Sequence, residues 1–296
     1  KRRDFDNILV QAAREAGAEL CHAYIVDIHS RAETVDLAAA DNTEPFHARV
    51  AVVATGAAVD LPRKLGLSRP REPDAVAIRQ YVKSSHRIDN IIISYDKSLL
   101  PGYAWIIPLG NGRYNLGCGV KTDRVRNHQP HLKSRLRAFV EQFPEAHALL
   151  ARAEAQSHLM GAGLRTDLCG DCRPVIGNVL CIGETIGTTL PFTGEGIGKA
   201  MASAELAAGV IHEALTRNDM SCLKQYPALL REHLGPYYPA YHSAERWLSR
   251  PWLNDLLARR IARSHYLRGV VKETIEERVE PRPVFTLANL LRSFWS

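Results

Sequence analysis

No apolar run in this chain approaches the roughly 20 residues needed to cross a bilayer, so no transmembrane helix is expected. The first residues, Lys1-Arg2-Arg3-Asp4-Phe5-Asp6, lack the apolar core of a signal peptide. No basic block carries interleaved aromatics. The Lys and Arg behind a formal charge of +6 are scattered, which argues against nucleic acid and leaves an anionic partner or a membrane surface compatible. Cysteine is scarce, six in 296 residues, and several sit in apolar runs as small core residues do; a reducing, cytoplasmic location follows. His22, His47, His86 and His128 fall at no ligand spacing, and Cys169-x-x-Cys172 has no second pair to complete it, so no metal site is expected. For that pair a redox role stands beside the plainer reading of two loop cysteines. There is also no initiator Met, no internal repeat and no low-complexity segment.

What is present is the composition of a globular protein, 46% hydrophobic and 24% charged, in a chain long enough for more than one domain. Phe5, Ile8, Leu9, Ala12, Ala13 and Ala16 recur at helical steps and predict a helix ending at Gly17. Tyr24 to Ile28 and Thr34 to Ala38 read as a hairpin, and Asp41 to Pro45 as a turn. Arg49 to Gly56 is a strand apolar on both faces, which belongs in the middle of a sheet. After a boundary rich in Pro, Arg and Lys from Leu61 to about Pro73, strand-like runs follow at Ala75 to Val82, Ile91 to Tyr95, Tyr103 to Pro108 and Tyr114 to Val120. The turn Gly110-Asn111-Gly112-Arg113 marks a hairpin, so this region predicts a mostly antiparallel sheet. His131 to Glu154 is helical and broken at Pro144, a Gly-rich passage Gly161-Ala162-Gly163 follows, and residues from about Met220 onward read as helices broken at prolines.

Between these lies the stretch Gly183 to Ile197. It follows the apolar run Val179-Leu180-Cys181-Ile182 and precedes a helical segment, so it reads as strand, glycine-rich crossing and helix start. A helix opening at Gly196 points unpaired N–H groups and a positive dipole end at what lies before it. Glu184, just past the strand, can accept hydrogen bonds from hydroxyl groups. Glu195 would be repelled by an anion and is expected to turn back onto N–H groups of the helix start. Ile197, Met201, Ala204, Ala208 and Ile211 form the apolar stripe of the following helix, while Ala200, Ser203 and Ala207 keep its flank thin enough to lie against a sheet or a cofactor. An ordinary α/β crossing has similar glycines, so the glycines alone do not decide. In the sheet region, alternation puts Tyr103, Trp105 and Ile107 on one strand face, either as plain core or as a wall for an apolar chain.

Three passages in order, Val52 to Gly56, Pro101 to Pro108 and Gly183 to Ile197, resemble the geranylgeranyl reductase family of FAD-dependent oxidoreductases, part of the larger group similar to p-hydroxybenzoate hydroxylase. The resemblance spans roughly Lys1 to Ile211 and is weak beyond. It implies that Ala54-Thr55-Gly56 packs near FAD, that Gly183-Glu184 holds the ribityl chain, and that Pro191-x-Thr193-Gly194-Glu195-Gly196-Ile197 lies against the pyrophosphate and flavin ring. FAD-contacting residues on this basis are Thr55, Gly56, Gly183, Glu184, Pro191, Thr193, Gly194, Gly196 and Ile197. The family's Tyr-x-Trp-x-Phe-Pro-Lys and Gly-x-Gly sequences line its substrate cavity; Tyr103, Trp105, Pro108, Gly117 and Gly119 agree, while Ile107 and Leu109 replace the usual Phe and Lys. Tyr103, Trp105 and Pro108 are therefore the expected substrate contacts; Tyr103 is a candidate proton donor, and no catalytic residue is assigned.

The Gly-x-Gly-x-x-Gly loop that opens flavoproteins of this group is absent. By analogy about a hundred residues precede this chain, or the gene has lost them; the chain alone is then expected to bind FAD weakly or not at all. The expected fold is mixed α/β: an incomplete Rossmann-like FAD-binding domain from residues 1–60 and 161–215, an inserted antiparallel-sheet substrate domain at 73–160, and a helical region at 216–296. The expected activity is FAD-dependent reduction of carbon–carbon double bonds in an isoprenoid, geranylgeranyl-type chain, with an apolar small-molecule substrate and an external electron donor. Alternatives are a non-catalytic truncated flavoprotein or apolar-ligand-binding module and, within the same fold, a quinone-linked dehydrogenase or a flavin monooxygenase. The apolar cluster of Phe285, Leu287, Leu290, Leu291, Phe294 and Trp295 reads either as a segment docked on the fold or as a peripheral membrane contact.

Overall fold

The computed structural model describes residues 2–40, 44–68, 72–122, 131–166, 168, 172–191, 193–248 and 250–275. A first helix, α1 (Arg2–Glu15), ends before Gly17, whose φ of 99° breaks the helix where the sequence predicts. The hairpin follows as β1 (Ile25–Ser30) and β2 (Val35–Ala39), and a short third strand, β3 (Phe46–Ala48), extends it antiparallel. The strand of the Val52–Gly56 passage is β4 (Ala51–Val53), with the short helix α2 (Asp60–Lys64) behind it.

The second sheet is antiparallel throughout, joining some neighbouring strands through turns and its first strand to strands much further along the chain. Its strands are β5 (Ala75–Ser84), β6 (Ile92–Ser94), β7 (Gly102–Pro108) and β8 (Arg113–Lys121). Asn111 and Gly112 both take positive φ between β7 and β8, the conformation that suits the twist of a two-strand turn. Helices α3 (Leu132–Gln142) and α4 (Pro144–Ala151) meet at Pro144, which sits at a helix start where its missing N–H costs nothing. Strands β9 (Ala153–Gln156) and β10 (Met160–Leu164) then pair with successive parts of β5, giving the order β10-β5-β8-β7-β6. One face of this sheet, through Val82, Ala104, Ile106, Tyr114, Leu116 and Cys118, packs on Leu136, Phe139, Ala146 and Leu149 of α3 and α4. Alternation leaves Tyr103, Trp105 and Ile107 for the other face.

The third sheet holds β11 (Val175–Ile176), β12 (Val179–Cys181) and β4, with β12 and β4 parallel. The long helix α5 (Ile197–Arg217) covers it, and a helical series follows in α6 (Tyr226–His233), α7 (Tyr238–Leu248), α8 (Pro251–Arg263) and α9 (His265–Ile275). The architecture is mixed α/β. Tyr226 stitches this core: it is wholly buried, and its hydroxyl lies 3.1 Å from the Cys181 carbonyl of β12 and 3.2 Å from the Ser203 carbonyl of α5.

One local expectation differs from the structure, and three features add to what was expected. Strand β4 stands at the end of its sheet, with Val52 43% exposed, because among the described residues nothing packs on that side. No residue of α1 is buried, although its apolar spacing is helical. The buried face of α5 is Lys199, Ser203, Ala207, Val210 and Ala214, not the stripe through Ile197 and Met201; small side chains bring the helix close, and the larger apolar ones point elsewhere. The Gly161–Gly163 passage is the interior of β10, where a Cβ on Gly163 would meet the Pro73 ring at 2.7 Å. Cys169, His128 and the Phe285–Trp295 cluster lie outside the described residues.

Tyr226→Phe keeps the packing and removes the only hydroxyl between the two carbonyls. It is expected to lower stability by about 1–2 kcal/mol, read as a lower urea midpoint with an unchanged slope; an unchanged midpoint would mean that the bond contributes nothing.

Candidate functional site

The crossing after β12 turns on Gly183, whose φ of 62° disfavours any side chain. A Cβ there would also stand 3.2 Å from that of Ala200. The close approach is held by a buried hydrogen bond, Gly183 N–H to Ser203 Oγ at 2.8 Å, and Ser203 in turn donates to the Ala200 carbonyl at 2.8 Å. These are the thin-flank residues of α5. From Gly183 to Ile186 the chain makes a short 3₁₀ turn, and Thr185 Oγ1 accepts from the Gly56 N–H at 3.0 Å, bringing the Ala54–Gly56 passage alongside.

Glu184 faces the space in front of this turn. Its Oε1 accepts from the Arg165 N–H at 3.0 Å. Burial raises its carboxyl above the ordinary value, against the opposing hydrogen bond and charge of Arg165 and the charge of Arg2. Glu195 behaves as its position at a helix start requires: Oε1 accepts from the Gly198 N–H at 2.7 Å in the first turn of α5. Thr55 Oγ1 donates to the Ala58 carbonyl at 2.7 Å, so its hydroxyl serves the local turn.

The free face of the six-stranded sheet stands opposite. Trp105 lies flat on β8 because residue 117 is glycine: a Cβ there would fall 2.4 Å from Trp105 Cζ2 and 2.5 Å from the Ile78 carbonyl oxygen. Trp105 Nε1 donates to Asn115 Oδ1 at 3.1 Å, which fixes the ring. Tyr95, Tyr103 and Trp105 form a tilted row with centroids 5.6 and 5.8 Å apart. The Tyr103 hydroxyl donates to the Thr193 carbonyl of the crossing, and burial pushes its pKa up to about 12.

These walls enclose one cavity of about 930 Å³. Of the expected cofactor contacts it brings together Gly56, Gly183, Glu184, Pro191, Thr193, Gly194, Gly196 and Ile197. Of the expected substrate contacts it brings in Tyr103 and Trp105. Thr55 and Pro108 are not on its wall. Sequence reasoning missed Phe5 and Leu9 of α1, Ile91, Ile93 and Arg79 on the sheet side, and the pair Lys121 and Glu245. Strand alternation was a usable signal for Lys121, which shares a face with Gly117 and Gly119; nothing local marks Glu245, 124 residues away.

The cysteines stand apart from this chemistry. Burial pushes the thiols of Cys118 and Cys181 up to about 12, and Cys172 Sγ lies 3.5 Å from the Thr185 carbonyl oxygen. Among the described residues no three His, Cys, Asp or Glu side chains are grouped to hold a metal ion. His47 and His86 pair instead with Asp36 and Glu145, at 2.7 and 2.8 Å.

A half-buried carboxylate beside a glycine turn suits a polyhydroxy chain, and a Pro-x-Thr-Gly loop facing an aromatic row leaves a slot for a flat ring; both fit the flavin end of FAD. A parallel strand, Gly-Glu turn and covering helix, set against an antiparallel sheet, define a flavoprotein oxidoreductase. The chain belongs to the FAD dependent oxidoreductase (DAO) family, which it matches over residues 4–210. It is 30% identical to a menaquinone reductase of Mycobacterium tuberculosis over 246 residues, 79% of this chain and 57% of that protein. It is also 30% identical to digeranylgeranylglycerophospholipid reductase 1 of Methanopyrus kandleri over 238 residues, 76% of this chain and 61% of that protein. The chain thus spans about three fifths of the length of these relatives. In fold it is similar to a geranylgeranyl bacteriochlorophyll reductase-like protein of Thermoplasma acidophilum, with a TM-score of 0.74 and 21% identity over 98% of this chain and 70% of that one.

Two substitutions test the walls. Gly117→Ala forces a methyl group against the Ile78 carbonyl, which cannot yield, and is expected to cost about 1–3 kcal/mol with a shift in tryptophan emission; wild-type stability would show that the indole is not seated there. For Glu184→Gln the sign follows from its raised native pKa. A carboxyl that binds its proton more tightly when folded loses stability as pH rises from its unfolded value through its native one. The Gln variant should therefore exceed the wild type in urea midpoint at pH 7 without flavin, converge with it in acid, and bind FAD more weakly by about 1–3 kcal/mol. Equal FAD affinity would remove Glu184 from the cofactor wall.

Proposed function

We propose that this chain forms the flavin-ring and substrate walls of an enzyme that reduces carbon–carbon double bonds of an isoprenoid, geranylgeranyl-type chain. The observation that carries this reading is the juxtaposition across one cavity of the Gly183–Ile197 crossing and the apolar face of Tyr103, Trp105 and Ile107. Bound FAD, once reduced by an external donor, supplies a hydride. Glu184 would orient the cofactor by accepting from its hydroxyl groups, and the turn at Gly183 lets the backbone come close to it. Tyr103 ties the Thr193 turn to the sheet and so sets the width of the slot. Trp105 and Ile107 offer a chain of alternating double bonds and methyl groups a surface without polar partners, which excludes water from the reacting carbons.

The reading extends to how such a chain arrives. Ile91 and Ile93, 62% and 51% exposed, stand on the cavity wall with Arg79. Exposed aliphatic residues at the edge of the sheet suit a lipid surface, so we assign peripheral contact with a membrane to this rim. No described helix is long and apolar enough to cross one. A quinone-linked reaction is the second reading, favoured by the likeness to a menaquinone reductase.

The test is reduction of geranylgeraniol by the FAD-loaded, dithionite-reduced protein under anaerobic conditions, followed by mass. Products heavier by two hydrogens per double bond are expected. Trp105→Ala should lower kcat/KM about 10- to 100-fold, the equivalent of one lost aromatic contact of about 1.5–3 kcal/mol. An unreduced prenyl chain together with turnover of a quinone would replace this reading with the second.

A further inference from the structure

The sheet side of the cavity wall is mostly aromatic and aliphatic, with polar side chains at Arg79, Asn115 and, at its Tyr103 end, Lys121. Lys121, the last residue of β8, and Glu245 of α7 meet there with Nζ 2.7 Å from Oε2, their side chains only 15% and 9% exposed. Two charges taken this far out of water cost several kcal/mol each before they attract one another, so such a pair is weak evidence of a role in stability alone. Its position points to chemistry. Along the paired strands the steps run Ile107 with Asn115, Trp105 with Gly117, and Tyr103 with Gly119. Lys121 lies one step further, beside Pro101, whose carbonyl accepts from the Lys121 N–H at 3.1 Å. It is therefore at the Tyr103 end of the face, the end at which the sheet touches the cofactor crossing.

We propose that Lys121 is the proton donor of the reduction, held in place by Glu245 and reprotonated by water. The inference rests on the proposed alkene reduction. In that step the hydride forms a C–H bond to one alkene carbon. An N–H bond of the Lys121 ammonium breaks, and its proton forms the C–H bond to the other carbon. The neutral amine then takes a proton back from water, while His242 Nδ1, 3.6 Å from the same Glu245 oxygen, helps to hold the carboxylate in place. Charge and atoms balance, with the reduced flavin as the only reductant.

Tyr103, the two arginines and Glu245 are poorer donors, and Glu184 stands across the cavity on the crossing, where its Oε1 accepts from the Arg165 N–H. Tyr103 has its proton committed to the Thr193 carbonyl, and burial pushes its pKa up to about 12. Arg2 and Arg79 do not release protons at working pH. Burial by itself would raise the Glu245 carboxyl, but hydrogen bonds and charge from His242 and Lys121 bring it below its ordinary range, so it is an anion that positions the ammonium and not an acid. Lysine is among the side chains that serve as general acids.

The decisive variant is Lys121→Arg, which keeps the positive charge beside Glu245 and so the fold, but holds its protons. Two quantities are measured: the Kd of geranylgeraniol for the flavin-free protein, by tryptophan fluorescence, and the single-turnover rate of alkene reduction in the flavin-loaded protein. We expect an unchanged Kd, within threefold, and a rate lower by about 10²- to 10⁴-fold, the usual contribution of a positioned acid. Lys121→Met should show the same split if it folds. A Lys121→Arg protein that reduces the chain at the wild-type rate would overturn the proposal, and so would parallel losses in binding and rate, which indicate a structural role. If the unmodified protein binds flavin and prenyl alcohol but never reduces it, the proposed function falls and this inference with it; if only the Lys121→Arg effect is missing, the function stands and this inference alone falls.

Discussion

The bond from the Tyr103 hydroxyl to the Thr193 carbonyl is the one contact on which the site depends. It joins two bodies of structure with separate cores, the sheet backed by α3 and α4 and the parallel pair β4–β12 covered by α5. Each core can form from its own buried residues. Only where they meet is there a cavity with a glycine-rich crossing on one side and an aromatic row on the other. The acceptor is a backbone carbonyl, so the bond ties the main chain of the crossing to the sheet. Cavity width is thereby set by one side chain and two backbones.

On each side of that contact, absent side chains decide the shape. Gly183 lets the strand end turn against Ala200, and Ser203 catches the N–H that the turn exposes. Gly117 lets an indole lie against the sheet, so the wall is flat where a methyl group would lift it. The same logic explains α5: a helix whose buried face is Ser203 and Ala207 can approach a strand end closely, leaving Ile197, Ala200, Met201 and Ala204 to the cavity. Binding and packing therefore compete for the same helix, and the larger apolar residues go to the cavity side.

Much of this was legible in the residues. Strand runs, the Asn111-Gly112 turn, the break at Pro144 and the cap by Glu195 are local features with local causes, and they stand close to where periodicity and turn chemistry put them. The glycine crossing and the Tyr-x-Trp strand were recognisable as motifs, and ten of the twelve expected contacts share one cavity. What escaped were properties that depend on partners. The central place of β4 was inferred from apolar spacing, which states what a face can bury and not whether something covers it. The Lys121–Glu245 pair joins β8 to α7 across 124 residues, and neither residue stands in a motif, so only the fold brings them together.

The central claim is that the crossing and the sheet face are two walls of one site, the first for flavin and the second for an isoprenoid chain. Hydrogen exchange followed by mass spectrometry tests it directly, with FAD added first and geranylgeraniol second. The account predicts that FAD slows exchange in residues 54–56 and 183–197, and that the prenyl alcohol then slows it in residues 102–108 and 160–164. Protection by either ligand confined to segments elsewhere, with these four unchanged, would contradict it.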